Sequence, residues 1–589
     1  MTRRALSLVS ALGLAVLVLG PALAPGYVLL YDMVFVPRQD LLPASIGLGG
    51  QLPRAVPQDA VLAALTTLAP GSVWQHLALL GAVAGGALGA ARLLRGAGAA
   101  ARAAAAVLFV WSAFFAERLL LGSWSLLVAV AVLPWALSAA IDARRALPGA
   151  AARLILLVGL ASLTPTGGIL ACLLAGPVAL GPGSRLGRAR RAWTALALVA
   201  LQLPWLVPSL LHPAAGASDP NGLKAFALRA EGPWGALVTA LGTGGVWNGE
   251  VVLGSRSTFL APLAAVLLTV LVVLGAPALV RHLGRAAALW LVVCAVAGIV
   301  VAVAGAWGPT RPLVLAAVDA LPGGGLLRDG QKWLAPWTLL VAVAAPLGLG
   351  RIAERSRDAT VRATLAVGLV LLPMATMPDL VWGGLGRMQT TSYPDDWAEV
   401  RTVLEADAAG GDVAVLPWSA FRAFAWNGGR TSLDPAPRYL PRPTVVDDTL
   451  LVARPDGTVL RVSGEDPRAA VVGAALDAGR PLAQTLPALG VRYVVVELTT
   501  PGPDVGSALD GLTPVVRGST LELWSVPGTV APPTGPSARD LVLVVLAWVA
   551  AGLVLITAGL QVGRAYTGGR RRDPGLATLR AVDQSKENT

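Results

Sequence analysis

Lysine is almost missing from this 589-residue chain: it stands only at Lys224, Lys332 and Lys586. Histidine is confined to His76, His212 and His282, which are dispersed near the ends of apolar runs and share no metal-ligand spacing. The two cysteines, Cys172 and Cys294, lie inside apolar runs. They offer no disulfide framework, so any exported part must be stable from its own core. Charge of either sign is scarce, at 14% of residues, where soluble chains carry about a quarter. There is no Walker loop, which argues against ATP-driven transport, and no Gly-x-Ser-x-Gly elbow. No internal repeat is apparent.

What remains is apolar. Hydrophobic residues make up 55% of the chain, with a mean hydropathy of +0.67. Several uncharged stretches of 18 or more residues are long enough to cross a bilayer core. The expected fold class is a polytopic α-helical membrane protein of about twelve spans. They fall near 5–24, 73–94, 103–116, 124–141, 153–164, 168–181, 193–211, 257–280, 286–307, 333–350, 361–377 and 540–562. The third, fifth and sixth are short for a straight crossing, and 151–181 could instead be one long or re-entrant element. "ALA" at 22–24 mimics a signal-peptide cleavage site, but Pro25 follows it directly, so the run reads as an uncleaved first span.

The net charge of +12 is not a nucleic-acid signature. It comes from short arginine clusters between apolar runs, including Arg144 with Arg145, Arg190 with Arg191, and Arg570 to Arg572, all on one side of the span scheme. The positive-inside rule makes that side the cytoplasm. Both termini are then cytoplasmic, in a plasma-membrane protein whose expected partners are the bilayer and membrane-borne substrates, with no nucleic acid.

The division expected is a transmembrane domain over 1–377 with a first outward loop at 25–72, an extracytoplasmic α/β domain over 378–537, a last span at 538–563 and a basic, disordered cytoplasmic tail at 564–589. In the inserted domain, "YPDDWAEVRTVLEADAAGG" reads as a helix opened by Pro394 and early acids. "DVAVLPW", "VRYVVVE" and "TLELWSV" read as strands. "DPRAAVVGAALDAG" reads as a helix with Asp466 as its N-cap.

Four outward stretches could carry chemistry. In "GYVLLYDMVFVPRQDLLP", Asp32 sits between Tyr31 and Met33 in an apolar run, where a carboxylate is costly unless hydrated, paired or used. "FFAERLLLGSWSLL" puts Glu117 and Arg118 at the turn between the third and fourth spans. They suit an interfacial charge pair beside the aromatic anchor Trp124, or a catalytic arrangement in which Arg118 holds an anionic headgroup while Glu117 orients it or the substrate. "GGGLLRDGQKWLAPW" carries Arg328 and Lys332, four apart and on the side where cations run against the trend. A lipid phosphate would account for them, and so would neutralisation of one by Asp329. In the loop 212–256, Trp247 and Asn248 on glycine-rich backbone could form a sugar platform, or Trp247 could anchor the neighbouring spans at the interface.

Together these features resemble the GT-C superfamily of glycosyltransferases, over most of the chain. Its members have many spans, a long first outward loop bearing a catalytic acid, irregular short spans and often a soluble domain near the C-terminus. "AERLLLGSW", "TPTGG" (164–168) and "RDGQKW" are similar to actinobacterial envelope members, both arabinofuranosyltransferases and mannosyltransferase-like proteins. The resemblance implies inverting transfer of an arabinose- or mannose-type sugar from a polyprenyl-phosphate donor to an envelope glycan or lipid acceptor. Asp32 matches the first-loop acid by position, although many members carry an acidic pair and here the next acid is Asp40. No cofactor is required, since Arg or Lys can neutralise a monophosphate, and a divalent cation is left open. The rival readings are a lipid-linked glycan transporter, for which paired half-repeats are missing, and a non-catalytic envelope-assembly protein.

Overall fold

A computed structural model describes residues 3–50, 53–212, 220–320, 323–453, 457–532 and 535–571. A helix stands at each of the twelve expected positions. Among the described residues, eight are long and apolar enough to cross a membrane. A ninth crossing is possible if the pair Arg188–Ala200 and Leu203–Leu211, bent by 50°, counts as one span. The bend has a local cause: Pro204 has no N–H to continue the helix and its ring crowds the preceding turn. Ser7–Leu23, Ala150–Ala161 and Pro165–Leu180 are shorter apolar helices. Thus 151–181 forms two helices.

The third span is longer than expected, running over Ala99–Leu120. Its helix stops at Val110 and restarts at Ala113, where the Ser112 side chain accepts the Phe115 N–H at 3.3 Å. That restart carries Glu117 and Arg118 past the point where a sequence pattern ends the span.

Burial sorts the spans. Gly330–Ala353, Trp124–Arg144 and Ala99–Leu120 are 78%, 72% and 67% buried, whereas Ala359–Thr376 is 11% buried. The first three are therefore central, and the last is left for lipid to cover. Glycines let Leu260–Leu283 cross the central helix closely, since a Cβ on Gly275 or Gly348 would collide with the facing backbone.

The α/β domain holds a five-stranded sheet. Its strands are β1 (Asp412–Leu416), β2 (Thr444–Val445), β3 (Val491–Glu497), β4 (Thr513–Arg517) and β5 (Leu521–Ser525), in the order β4-β5-β3-β1-β2. β3 and β2 run parallel to β1, and β5 and β4 complete the sheet antiparallel. Asp466 caps the helix Pro467–Asp477, its carboxylate accepting the Arg468 N–H at 2.9 Å. Side chains alternate along the strands. Ala414, Leu416, Val494 and Val496 pack with Val472 and Leu482 in a core that belongs to the domain alone. Val413, Val415, Tyr493 and Val495 face the other way, towards Trp397 and Phe424, in a core continuous with the spans. The last helix, Ala538–Arg571, continues beyond the expected boundary at 563. Residues 572–589 of the expected tail lie outside the described residues.

The first loop joins the two halves. Tyr27–Val28 pairs antiparallel with Thr390–Thr391, and the Tyr393 hydroxyl donates to the Phe35 carbonyl at 2.9 Å. Arg401 is salt-bridged to Asp40.

Candidate active site

Asp32 is exposed in a stretch where Leu29, Leu30, Tyr31, Met33, Val34 and Phe35 are all buried. Its backbone is held from both halves of the molecule. The Asp32 N–H donates to the Leu121 carbonyl at 3.1 Å. On the domain side, Tyr31 donates to the Thr431 carbonyl at 2.7 Å and accepts the Leu433 N–H at 2.8 Å. The close approach to the 121–123 turn requires glycine: Gly122 has φ +77°, and a Cβ there would collide with Leu30 and Met33 backbone atoms.

The carboxyl is open to solvent, with protein packed around it. That partial desolvation pushes its pKa above the usual aspartate range, while Lys332, Arg438 and Arg118 pull it back down. These three cations come from the start of a central helix, the α/β domain and the third span. Arg438 has no warning in the sequence. It stands in an ordinary "PAPRYL" turn, 406 positions beyond Asp32 in the numbering, and its Nε lies 3.2 Å from both Asp59 carboxylate oxygens.

Glu117 and Arg118 are both buried, each 1% exposed. Arg118 forms a two-pronged pair with Asp329 at 2.6 and 2.8 Å, and its Nε donates to Gln331 Oε1 at 2.5 Å. Gln331 Nε2 donates to Glu117 Oε2 at 2.9 Å, and the same oxygen accepts the Val246 N–H at 2.9 Å. Arg118 is therefore spent on the protein and builds the wall that supports Lys332. Lys332 Nζ lies 3.5 Å from Asp329 with its side chain 31% exposed. Arg328 and Lys332 do not share a helix face, because short 3₁₀ turns end at Leu327 and restart at Gly330. Arg328 lies over the Phe226 ring instead, at 5.9 Å.

Trp247 meets Phe226 edge to face at 5.1 Å, in a small cluster with Val452 and Val462 of a hairpin in the α/β domain. Asn248 Oδ1 accepts the Glu250 N–H at 3.0 Å. The loop behind them is anchored by Glu231, which accepts the Gly245 N–H and pairs with Arg256 at 2.8 Å. Among the described residues no group of three or more His, Cys, Asp or Glu side chains could hold a metal ion.

The fold has a solved counterpart. The chain superposes on the cryo-EM structure of the arabinofuranosyltransferase AftD from Mycobacteria with a TM-score of 0.55, at 21% identity, over 90% of this chain and 40% of that one. The chain has the GT-C fold. A variant AftD structure gives a TM-score of 0.54 at 21% identity, over 90% of this chain and 42% of the other. The chain thus spans about two fifths of AftD's length. No protein-family model matches it, and neither does any curated protein. In this GT-C frame, Asp32 lies on the loop after the first helix, beside the ends of the central spans.

Proposed function

We propose that the protein is an integral membrane glycosyltransferase of the plasma membrane, with both termini cytoplasmic and the α/β domain on the outer face. It moves an arabinose- or mannose-type sugar from a polyprenyl-phosphate donor to an envelope glycan or lipid, with inversion. The observation that carries this reading is Asp32 itself: an exposed carboxyl on a buried loop, fastened from two sides and flanked by cations. Asp32 takes the proton of the acceptor hydroxyl as the lipid phosphate leaves. Lys332 faces the developing phosphate charge, and Arg328 meets the donor further out. Arg118 and Glu117 act behind them by fixing the Asp329–Gln331 turn. The raised pKa makes Asp32 a stronger base than an ordinary aspartate.

Transfer by the purified protein from a polyprenyl-phosphate sugar tests this. Asp32→Asn keeps the shape and removes the base, so the rate should fall by roughly two to four orders of magnitude. The wild-type rate should rise with pH through a limb above the usual aspartate range, because only the ionised form accepts a proton. The limb should vanish in Asp32→Asn. Full activity in that variant would remove the enzyme reading.

A further inference from the structure

Tyr31, the residue before Asp32, has a separate set of partners. Its hydroxyl donates to Glu250 Oε2 at 2.5 Å. Glu250 is exposed, and its carbonyl accepts from the Arg387 guanidinium. Asn248 caps the same residue, and Arg229 packs against the adjoining Gly249 so closely that a Cβ there would strike its guanidinium. Tyr31 is buried and adopts φ +46°, a left-handed conformation that is unfavourable for a non-glycine residue. The surrounding backbone bonds hold it there. Burial and the Glu250 carboxylate push the phenol pKa up to about 12, so it stays a donor.

We propose that Glu250, Asn248, Arg229 and Arg387 form a subsite for the hydroxyls of an acceptor glycan, with Tyr31 orienting the Glu250 carboxylate. The assignment rests on the transferase reading and gives its two substrates separate ends of the site. An exposed carboxylate retains lone pairs that accept sugar hydroxyls, while amide and guanidinium groups donate to their oxygens. The carboxylate can only accept hydrogen bonds, which suits the O–H donors of a polyol and not an ionised phosphate, so the neutral polyol is assigned to Glu250 and the anionic donor to Lys332. Tyr31 and Asp32 are consecutive, with Cα atoms about 3.8 Å apart. The loop segment that carries the base therefore also carries the phenol that positions Glu250.

The test is calorimetric titration of the full chain in lipid nanodiscs with two probes, a synthetic arabinofuranosyl trisaccharide and mannotriose. One of them should bind the wild type. Glu250→Gln should weaken that binding about tenfold or more, as expected for loss of charged hydrogen bonds. Tyr31→Phe should weaken it by about threefold, and Lys332→Ala should leave it within about twofold. Equal binding by the wild type and Glu250→Gln overturns the subsite, as does failure of both probes to bind the wild type. Transfer is measured in parallel. Trisaccharide binding that depends on Glu250, in a protein that transfers nothing, would keep the subsite and discard the enzyme.

Discussion

The membrane half and the α/β domain each hold a partly exposed cation near Asp32, Lys332 and Arg438, and behind each stands a buried arginine. In the membrane half, Arg118 grips Asp329, and Lys332 follows three residues later. In the domain, Arg422, 2% exposed, pairs with Asp434 at 2.9 Å and with Glu497, and Arg438 follows Asp434 by four residues. The outcomes differ. Arg438 is closed on Asp59, with 12% of its side chain exposed, whereas the Lys332 side chain is 31% exposed and only loosely paired. One cation holds the first loop against the domain. The other is available to a ligand.

Removing the two buried arginines probes the shared device, and should give the largest effects on stability. Arg118→Met leaves Asp329 only its looser pair with Lys332, and Arg422→Met strips two buried carboxylates of their arginine; breaking a buried pair costs about 3–5 kcal/mol. Arg422→Met should be the worse of the two because it abandons Asp434 and Glu497 together. Unfolding measured in detergent checks this, and equal small losses would mean that the two networks are not what fixes these turns.

The contrast between the delivered cations is sharpened next by donor binding. Lys332→Ala should weaken binding of a polyprenyl-phosphate sugar by an amount near 1.5–3 kcal/mol, the usual range for a hydrogen bond to a charged group. Arg438→Ala should cost the donor clearly less, since that guanidinium is already spent on Asp59. Equal losses would erase the distinction. The smallest effect belongs to Arg54, whose pair with Glu465 also joins loop to domain but leaves its side chain 59% exposed. Arg54→Ala should change stability by under about 1 kcal/mol. A larger change in the same unfolding assay would make that pair a true clasp.

The same comparison shows why the sequence was only partly readable at the site. Asp32 stood out because a carboxylate in an apolar run is costly whatever surrounds it. Arg118 looked equally available, yet its partner Asp329 lies 211 positions away, and no local pattern reveals which charges cancel. Arg328 and Lys332 were four apart, a spacing that means one face only on a continuous helix. The break at Arg328–Asp329 sent them in different directions. Glu250, Gln331 and Arg438 sat in stretches with no periodicity to mark them, and their importance comes from what they face.

Local chemistry determined the apolar helices, the strands of the inserted domain and the Asp466 cap, because hydropathy, periodicity and capping act within one turn or one helix. The bend at Pro204 follows from the missing proline N–H. Tertiary structure alone decided that one face of the domain's sheet shares a core with the spans and that Gly122 admits the first loop. It also decided that one of two similar cations stays open beside Asp32. Those outcomes depend on contacts between segments hundreds of residues apart, where burial and charge pairing set the energy and sequence distance carries no information.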